Sequence, residues 1–207
     1  MSTARRLSTL VLALVALTGL AALGPAAAVA QTGGGANNLV QVVNTGAESF
    51  AARSGVQAAP YGGDSAQSTN LARADARSCT GCVTQAAALQ AVFLTGDPST
   101  VQVANAAVAT NSSCTRCLTY AYAYQYVIST DRAVSLSPAG QQRLTELSRR
   151  AAAVVAEPAT GFEDFVVLDG RLDALAAELR EVVDAELRAG GHAAVTRGER
   201  DRQAVGA

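Results

Sequence analysis

The sequence predicts an α+β protein: an antiparallel β-sheet built from duplicated hairpins, each turning at a Cys-x-x-Cys, followed by an antiparallel helical hairpin. Three observations carry that expectation. Residues 70–95 recur at 105–130 with 13 of 26 positions identical, a period of 35 residues. All four cysteines fall at the same two places in the two copies. The apolar spacing also changes from two residues to three or four near residue 134, which marks the passage from strands to helices.

The chain opens with "MSTARRLSTLVLALVALTGLAALGPAAAVA". A basic start at Arg5 and Arg6, an apolar run from Leu7 to Leu23 and Ala28-Val29-Ala30 after Gly24-Pro25 give the layout of a secretory signal peptide over 1–30, cleaved before Gln31. An uncleaved anchor is the alternative, because the apolar run approaches the ~18 to 20 residues that span a bilayer. A cleaved chain is then expected outside the cytoplasm, secreted or at the cell surface, with no further membrane span.

All 16 basic residues are Arg. They are mixed with acidic residues along the chain and form no basic stripe, so nucleic-acid binding lacks its electrostatic footprint. The β-rich duplicated region is placed at 31–133. Asn38–Asn44, "NLVQVVN", reads as a degenerate third copy of the repeat's opening strand, without cysteines. After Cys117, Leu118, Tyr120, Tyr122, Tyr124, Tyr126 and Ile128 alternate with Thr119, Ala121, Ala123, Gln125 and Val127, the period of a strand. The even positions, Thr-Ala-Ala-Gln-Val, are identical in the first copy, whereas the odd positions differ. The small face therefore reads as a packing face. The four tyrosines, Tyr120, Tyr122, Tyr124 and Tyr126, are a candidate binding face for glycan or peptide, with burial beneath the helices as the plainer alternative.

Each cysteine pair, Cys79 with Cys82 and Cys114 with Cys117, occupies positions i and i+3 of a predicted turn. A β-turn brings these Cα atoms within about 7 Å, and a disulfide spans roughly 4.4 to 6.8 Å. Export favours oxidation, so two turn-clamping disulfides are the leading reading, each contributing about 2 kcal/mol through the unfolded chain. Two alternatives stand beside it. One is a tetrahedral four-cysteine zinc site; the other is a redox dithiol, which wants a helix N-terminus or a positive charge beside the thiolate. Connectivity between copies, such as Cys79 with Cys114, stays open.

A helical hairpin is expected over 134–189. Ser137-Pro138 signals a helix start, and Leu144, Leu147, Ala151 and Val154 follow at helical spacing up to Glu157-Pro158. Thr160 with Glu163 resembles a capping box, and Phe165, Leu168, Leu172, Leu175, Leu179 and Val182 form a second stripe that packs on the sheet or on a second chain. Residues 190–207 show no period and are expected to be disordered. They contain His192, the sole histidine, which leaves a Ser-His-Asp triad or a His-based metal centre without a supplier in the folded part.

The stretches "NNLVQVVNTGAESFAARSGVQ", "CTGCVTQAAALQAVFLTGDPSTVQVANAAVATNSSCTRCLTYAYAYQYVIST" and "LDGRLDALAAELREVVDAELR" resemble, over about residues 37–188, an actinobacterial secreted twin-CxxC repeat region. That region also occurs appended to membrane proteins named as putative peptide zinc metalloproteases. The resemblance implies an extracytoplasmic module. The protease part with its HExxH helix is absent from this sequence, so no peptidase residues carry over.

The expectation for function is a secreted, non-enzymatic structural or binding module of the cell envelope or extracellular space, without a cofactor. Its partners would be a protein, a cell-wall ligand or, through the helical hairpin, a second copy. The alternative is a thiol–disulfide or zinc-binding protein using Cys79, Cys82, Cys114 and Cys117.

Overall fold

A computed structural model describes residues 36–96 and 98–206; the signal-like segment 1–30 lies outside them. In chain order the described elements are β1 (Ala36–Asn44), β2 (Phe50–Gly62), β3 (Ser65–Arg77), β4 (Val83–Thr95), β5 (Thr100–Ser112), β6 (Leu118–Thr130), α1 (Pro138–Val155), α2 (Phe162–Ala189) and β7 (Ala194–Gly206). Among β1 to β6, odd and even strands separate into two sheets, and β7 joins the even ones. Sheet A has the order β1-β3-β5 and sheet B the order β2-β4-β6-β7.

The expected antiparallel hairpins are not formed. The two arms of each copy lie in different sheets, and every pairing among β1 to β6 is parallel. Asn70 stands opposite Asn105 and Thr84 opposite Thr119, so each residue of one copy pairs with its own equivalent in the next. Each copy is thus one rung of a short two-sheet solenoid. The physical reason lies in the connections. Ser78 and Gly81 (φ 51° and 66°), and Ser113 and Arg116 (φ 52° and 54°), take left-handed conformations in matching places. These bends carry the chain across to the other sheet, so the segment is an arch and its flanking strands do not pair.

β1 and β2 make the first rung, with Asn38 opposite Asn70, which gives the stretch 38–44 its place as an opening strand. The sheets face each other through the small residues shared by both copies: Ala72, Ala74, Ala107 and Ala109 from sheet A against Ala86, Ala88, Ala121 and Ala123 from sheet B. Polar residues inside this dry layer need partners, and stacking supplies them. Asn38 Nδ2 donates to Asn70 Oδ1 at 2.9 Å, and Asn70 Nδ2 to Asn105 Oδ1 at 2.8 Å. A second ladder runs the opposite way, with Gln125 Nε2 donating to Gln90 Oε1 at 2.8 Å and Gln90 Nε2 to Gln57 Oε1 at 3.4 Å.

The helices cover the other face of sheet B, making a third layer. Ser137 Oγ accepts from Gly140 N at 3.0 Å and Pro138 occupies the first turn of α1. Arg150 pairs with Glu178, and Ser137 reaches Glu186, so the helices run antiparallel. Their stripes, including Leu147, Leu168, Leu172 and Leu179, pack into one cluster with Leu89, Phe93, Tyr122 and Ile128 of the sheet. Full burial of side chains such as Leu172 and Leu179 contributes about 2 kcal/mol each. Of the two packings open to that stripe, on the sheet or on a second chain, it takes the first. At the start of α2, Asp164 and not Glu163 reaches back to Thr160, accepting from its backbone N at 2.6 Å and its hydroxyl at 2.8 Å.

The segment from 190 onward, expected to be disordered, forms β7. It pairs antiparallel with β6 from Leu118↔Gly206 to Thr130↔Ala194. Two of its side chains also serve β5: Asp201 Oδ2 accepts from Ala107 N at 2.9 Å and Gln203 Oε1 from Ala109 N at 2.7 Å. One strand thus closes the last rung of both sheets, removing edges that would otherwise present free N–H groups. His192 precedes it, its Nδ1 3.6 Å from Asp131 Oδ1. No described helix is long and apolar enough to cross a membrane.

Candidate functional site

The arches stack as the strands do. Thr80 pairs with Thr115 in a parallel bridge, Thr115 N donates to Cys79 O at 3.1 Å and Gly81 N to Thr115 O at 2.8 Å. The first-rung connection, residues 45–49, lies on the same pile, with Glu48 N donating to Thr80 O at 2.7 Å. Because both cysteines of each copy occupy the same places, stacking puts all four at one point. Their sulfurs lie within 4.8 Å of one another.

Within each arch the cysteines stand at disulfide distance, Cys79 to Cys82 and Cys114 to Cys117, with Cα separations of 6.2 and 6.0 Å. Between arches, Cys79 Sγ is 3.3 Å from Cys114 Sγ and 3.7 Å from Cys117 Sγ. Cys79, Cys82 and Cys117 are buried and Cys114 is half-buried. The exposed first-rung connection covers one side, Gly46 O lying 2.9 Å from Cys82 Sγ. The cluster sits in the arches that join β3 to β4 and β5 to β6. Sequence reading identified the four residues; their convergence follows from in-register stacking of the copies.

The tyrosine face has a different fate. Tyr120, Tyr122 and Tyr126 are buried beneath α2, and Tyr124 is half-buried. Tyr120 Oη donates to Asp169 Oδ1 at 2.9 Å, Tyr122 Oη to Asp173 Oδ1 at 2.8 Å and Tyr126 Oη to Asp184 Oδ1 at 2.6 Å. Arg202 and Arg200 of β7 pair with Asp169 and Asp173, and Arg180 pairs with Asp184 while lying 5.4 Å over the Tyr126 ring. The face proposed for a ligand is occupied by the protein's own helix. Burial, then the adjoining carboxylates, hold the Tyr120 and Tyr122 hydroxyls above their ordinary ionisation range.

These Tyr-Asp-Arg groups join β6, α2 and β7, which explains why the second copy alone carries tyrosines. Sequence reading missed the partners Asp169, Asp173, Asp184, Arg200 and Arg202. A signal was present in the alternating signs of Glu199, Arg200, Asp201 and Arg202, a period of two in charge.

A further charged group lies on the outer face of sheet A. Asp75 is buried and accepts from Arg73 Nε and Arg77 Nη2, both at 2.8 Å, and from Thr110 Oγ1 at 2.5 Å. Burial works against its charge, but these donors outweigh it and hold the carboxyl below its ordinary range. Between α1 and α2 runs an open groove of about 460 Å³, lined by residues that include Arg150 and Glu178, paired with each other.

Comparison with family models, curated proteins and solved structures finds no match to the chain.

Proposed function

We propose that this protein is a non-enzymatic structural module exported from the cytoplasm, a short rigid rod whose cysteine-bearing arches are clamped by disulfides. The observation that carries the reading is where the polar side chains go. The interior asparagines and glutamines bond to their own copies one rung away, and the tyrosines bond to α2. Polar groups held in this way are preorganised for shape; they do not converge on a cavity that would enclose a substrate. The signal-like segment and the likeness to an exported twin-CxxC region support the same reading. So does oxidation, since paired cysteines at disulfide distance persist where the surroundings are oxidising.

The test is a cell fractionation with thiol trapping. The full-length chain, carrying its own N-terminal segment and a C-terminal epitope tag, is expressed in an actinobacterial host, and free thiols are alkylated at lysis. The expected product begins at Gln31, lies outside the cytoplasm and has no alkylated cysteine until it is reduced. Recovery in the cytoplasm with four alkylated cysteines would overturn the reading.

A further inference from the structure

The cysteine cluster has a second use that the staple does not require. A disulfide confined to one arch needs only its own two residues, yet stacking has brought two pairs together and buried most of the result. We infer that, when both pairs are reduced, the four sulfurs form one closed tetrathiolate site for a zinc-class divalent ion. The inference rests on the proposed function only for the oxidised form; the metal-bearing form belongs to the same chain under reducing conditions.

The geometry argues for this in three ways. Tetrahedral coordination at a metal–sulfur distance of about 2.3 Å places sulfurs about 3.8 Å apart. Between arches, Cys79 Sγ already lies 3.3 Å from Cys114 Sγ and 3.7 Å from Cys117 Sγ, with all four sulfurs inside 4.8 Å. The largest change is that the contacts within each arch must open, and the Cα separations of 6.2 and 6.0 Å leave room for that by side-chain rotation. The backbone is fixed independently, because the arches are tied by Thr115 N to Cys79 O and Gly81 N to Thr115 O and are flanked by paired strands. A site with four protein sulfurs and no open position is structural in character; it is not arranged to activate water.

The conversion balances as follows. Two molecules of a dithiol reductant each deliver two electrons and two protons, one molecule to each disulfide. The products are four cysteine thiols and two molecules of oxidised reductant. One divalent ion then replaces up to four thiol protons, giving a metal–sulfur centre of net charge −2. Two molecules of a disulfide oxidant reverse the sequence: each takes up two electrons from the sulfurs and two protons from solvent to become a dithiol, two S–S bonds form in the chain and the ion is released.

The experiment uses the mature chain, reduced with excess phosphine under anaerobic conditions, exchanged into buffer and titrated with Co²⁺ as a spectroscopic probe. The expected result is saturation at one ion per chain, with the charge-transfer and visible bands of tetrahedral four-thiolate cobalt, bleached by Zn²⁺. The oxidised chain should show none of these bands. Cys79→Ser and Cys114→Ser, one from each arch, should each remove the four-sulfur spectrum, while Ser113→Ala should leave it intact. Two ions per chain with two-sulfur spectra would overturn the inference, as would absence of the bands or equal binding by the oxidised chain. Circular dichroism guards against unfolding: if reduction alone abolishes the strand signal, its recovery on adding Zn²⁺ supports the site and failure to recover overturns it. These outcomes are independent of cellular location, so a failed metal test leaves the export test standing, and the reverse.

Discussion

The second and third rungs are near-copies that have been put to different uses. Facing inward, β4 and β6 present the same Thr-Ala-Ala-Gln-Val series and sit residue against equivalent residue. Facing outward, β4 offers Gln85, Ala87, Leu89, Ala91 and Phe93 where β6 offers Tyr120, Tyr122, Tyr124, Tyr126 and Ile128. The inner face answers to the neighbouring copy and is constrained by it. The outer face answers to what covers it, and only the third rung must meet the middle of α2 and the closing strand β7 together. Duplication made the rungs alike; the end of the stack made them differ.

Removing β7 breaks the comparison most severely, because it returns the third rung to the condition of an open end. Truncation after Gly191 would strip β6 of its partner, leave the N–H groups of Ala107 and Ala109 without Asp201 and Gln203, and free Asp169 and Asp173 of their arginines. Lost hydrogen bonds to buried groups cost about 1 to 3 kcal/mol each. The expected outcome is a loss of most of the stability in urea denaturation, and concentration-dependent association through the exposed edges, read by sedimentation velocity. A truncated chain that stays monomeric with an unchanged midpoint would deny β7 its closing role.

A change within the shared inner face tests what the rungs have in common. Asn70 is fully buried, and its Nδ2 lies within bonding distance of Asn105 Oδ1, Tyr124 O and Ala88 O while its Oδ1 accepts from Asn38. Asn70→Ala removes all of these bonds at a buried position, so a destabilisation of roughly 3 kcal/mol is expected. Asn105→Ala, whose Nδ2 meets the carbonyls of Ala123 and Glu199 near the closed end, should cost less. Equal losses at the two positions would mean that the ladder acts as separate bonds with no dependence on its middle member.

The outer face gives a graded result. Tyr122→Phe removes a bond to a carboxylate and should cost about 1.5 to 2 kcal/mol, whereas Tyr124→Phe, with no carboxylate bond among the described residues, should change stability by less than about 0.5 kcal/mol. The same tyrosines set an alkaline limit. Their folded-state ionisation lies above the unfolded value of about 10, so their contribution is whole below that pH and is lost as the pH rises beyond it. Asp75 acts in the opposite sense: depressed in the fold, it stabilises above about pH 4 and ceases to as the pH falls through its folded value. Urea midpoints across pH should show the alkaline decline in the wild type and a smaller one in Tyr122→Phe.

Much of this architecture is legible in the sequence. The repeat, the strand period, the small face, the opening strand at Asn38 and the helix start at Ser137-Pro138 are all local patterns, and local patterns survive in a single chain. The direction of pairing was not legible, because a period of two is the same in parallel and antiparallel sheets. The better clue was Asn70 and Asn105 at one place in each copy: a buried amide repeated at a fixed interval is satisfied most simply by its own equivalent. β7 was lost for a related reason. Its charges look like a solvated tail until Asp169, Asp173, Ala107 and Ala109 supply their partners, and these are distant in sequence. The tyrosine alternation left two fates open, a binding face or burial beneath the helices, and the structure takes the second, with aspartates of α2 that the strand's own pattern does not name.

The smallest difference between the rungs lies in the arches. Gly81 and Arg116 hold the same left-handed position, with φ of 66° and 54°, but a side chain there meets its own backbone at a cost of about 1 kcal/mol that glycine avoids. Arg116→Gly should therefore stabilise slightly, by less than about 1 kcal/mol because glycine also loses more freedom on folding. Gly81→Ala should destabilise by about the same amount, since the added Cβ finds 3.4 Å to Glu48 Cγ and the penalty is conformational. Urea midpoints of the two variants are expected to move in opposite directions. If both fall, the third arch needs the Arg116 side chain itself, and the two arches differ in more than the residue that turns them.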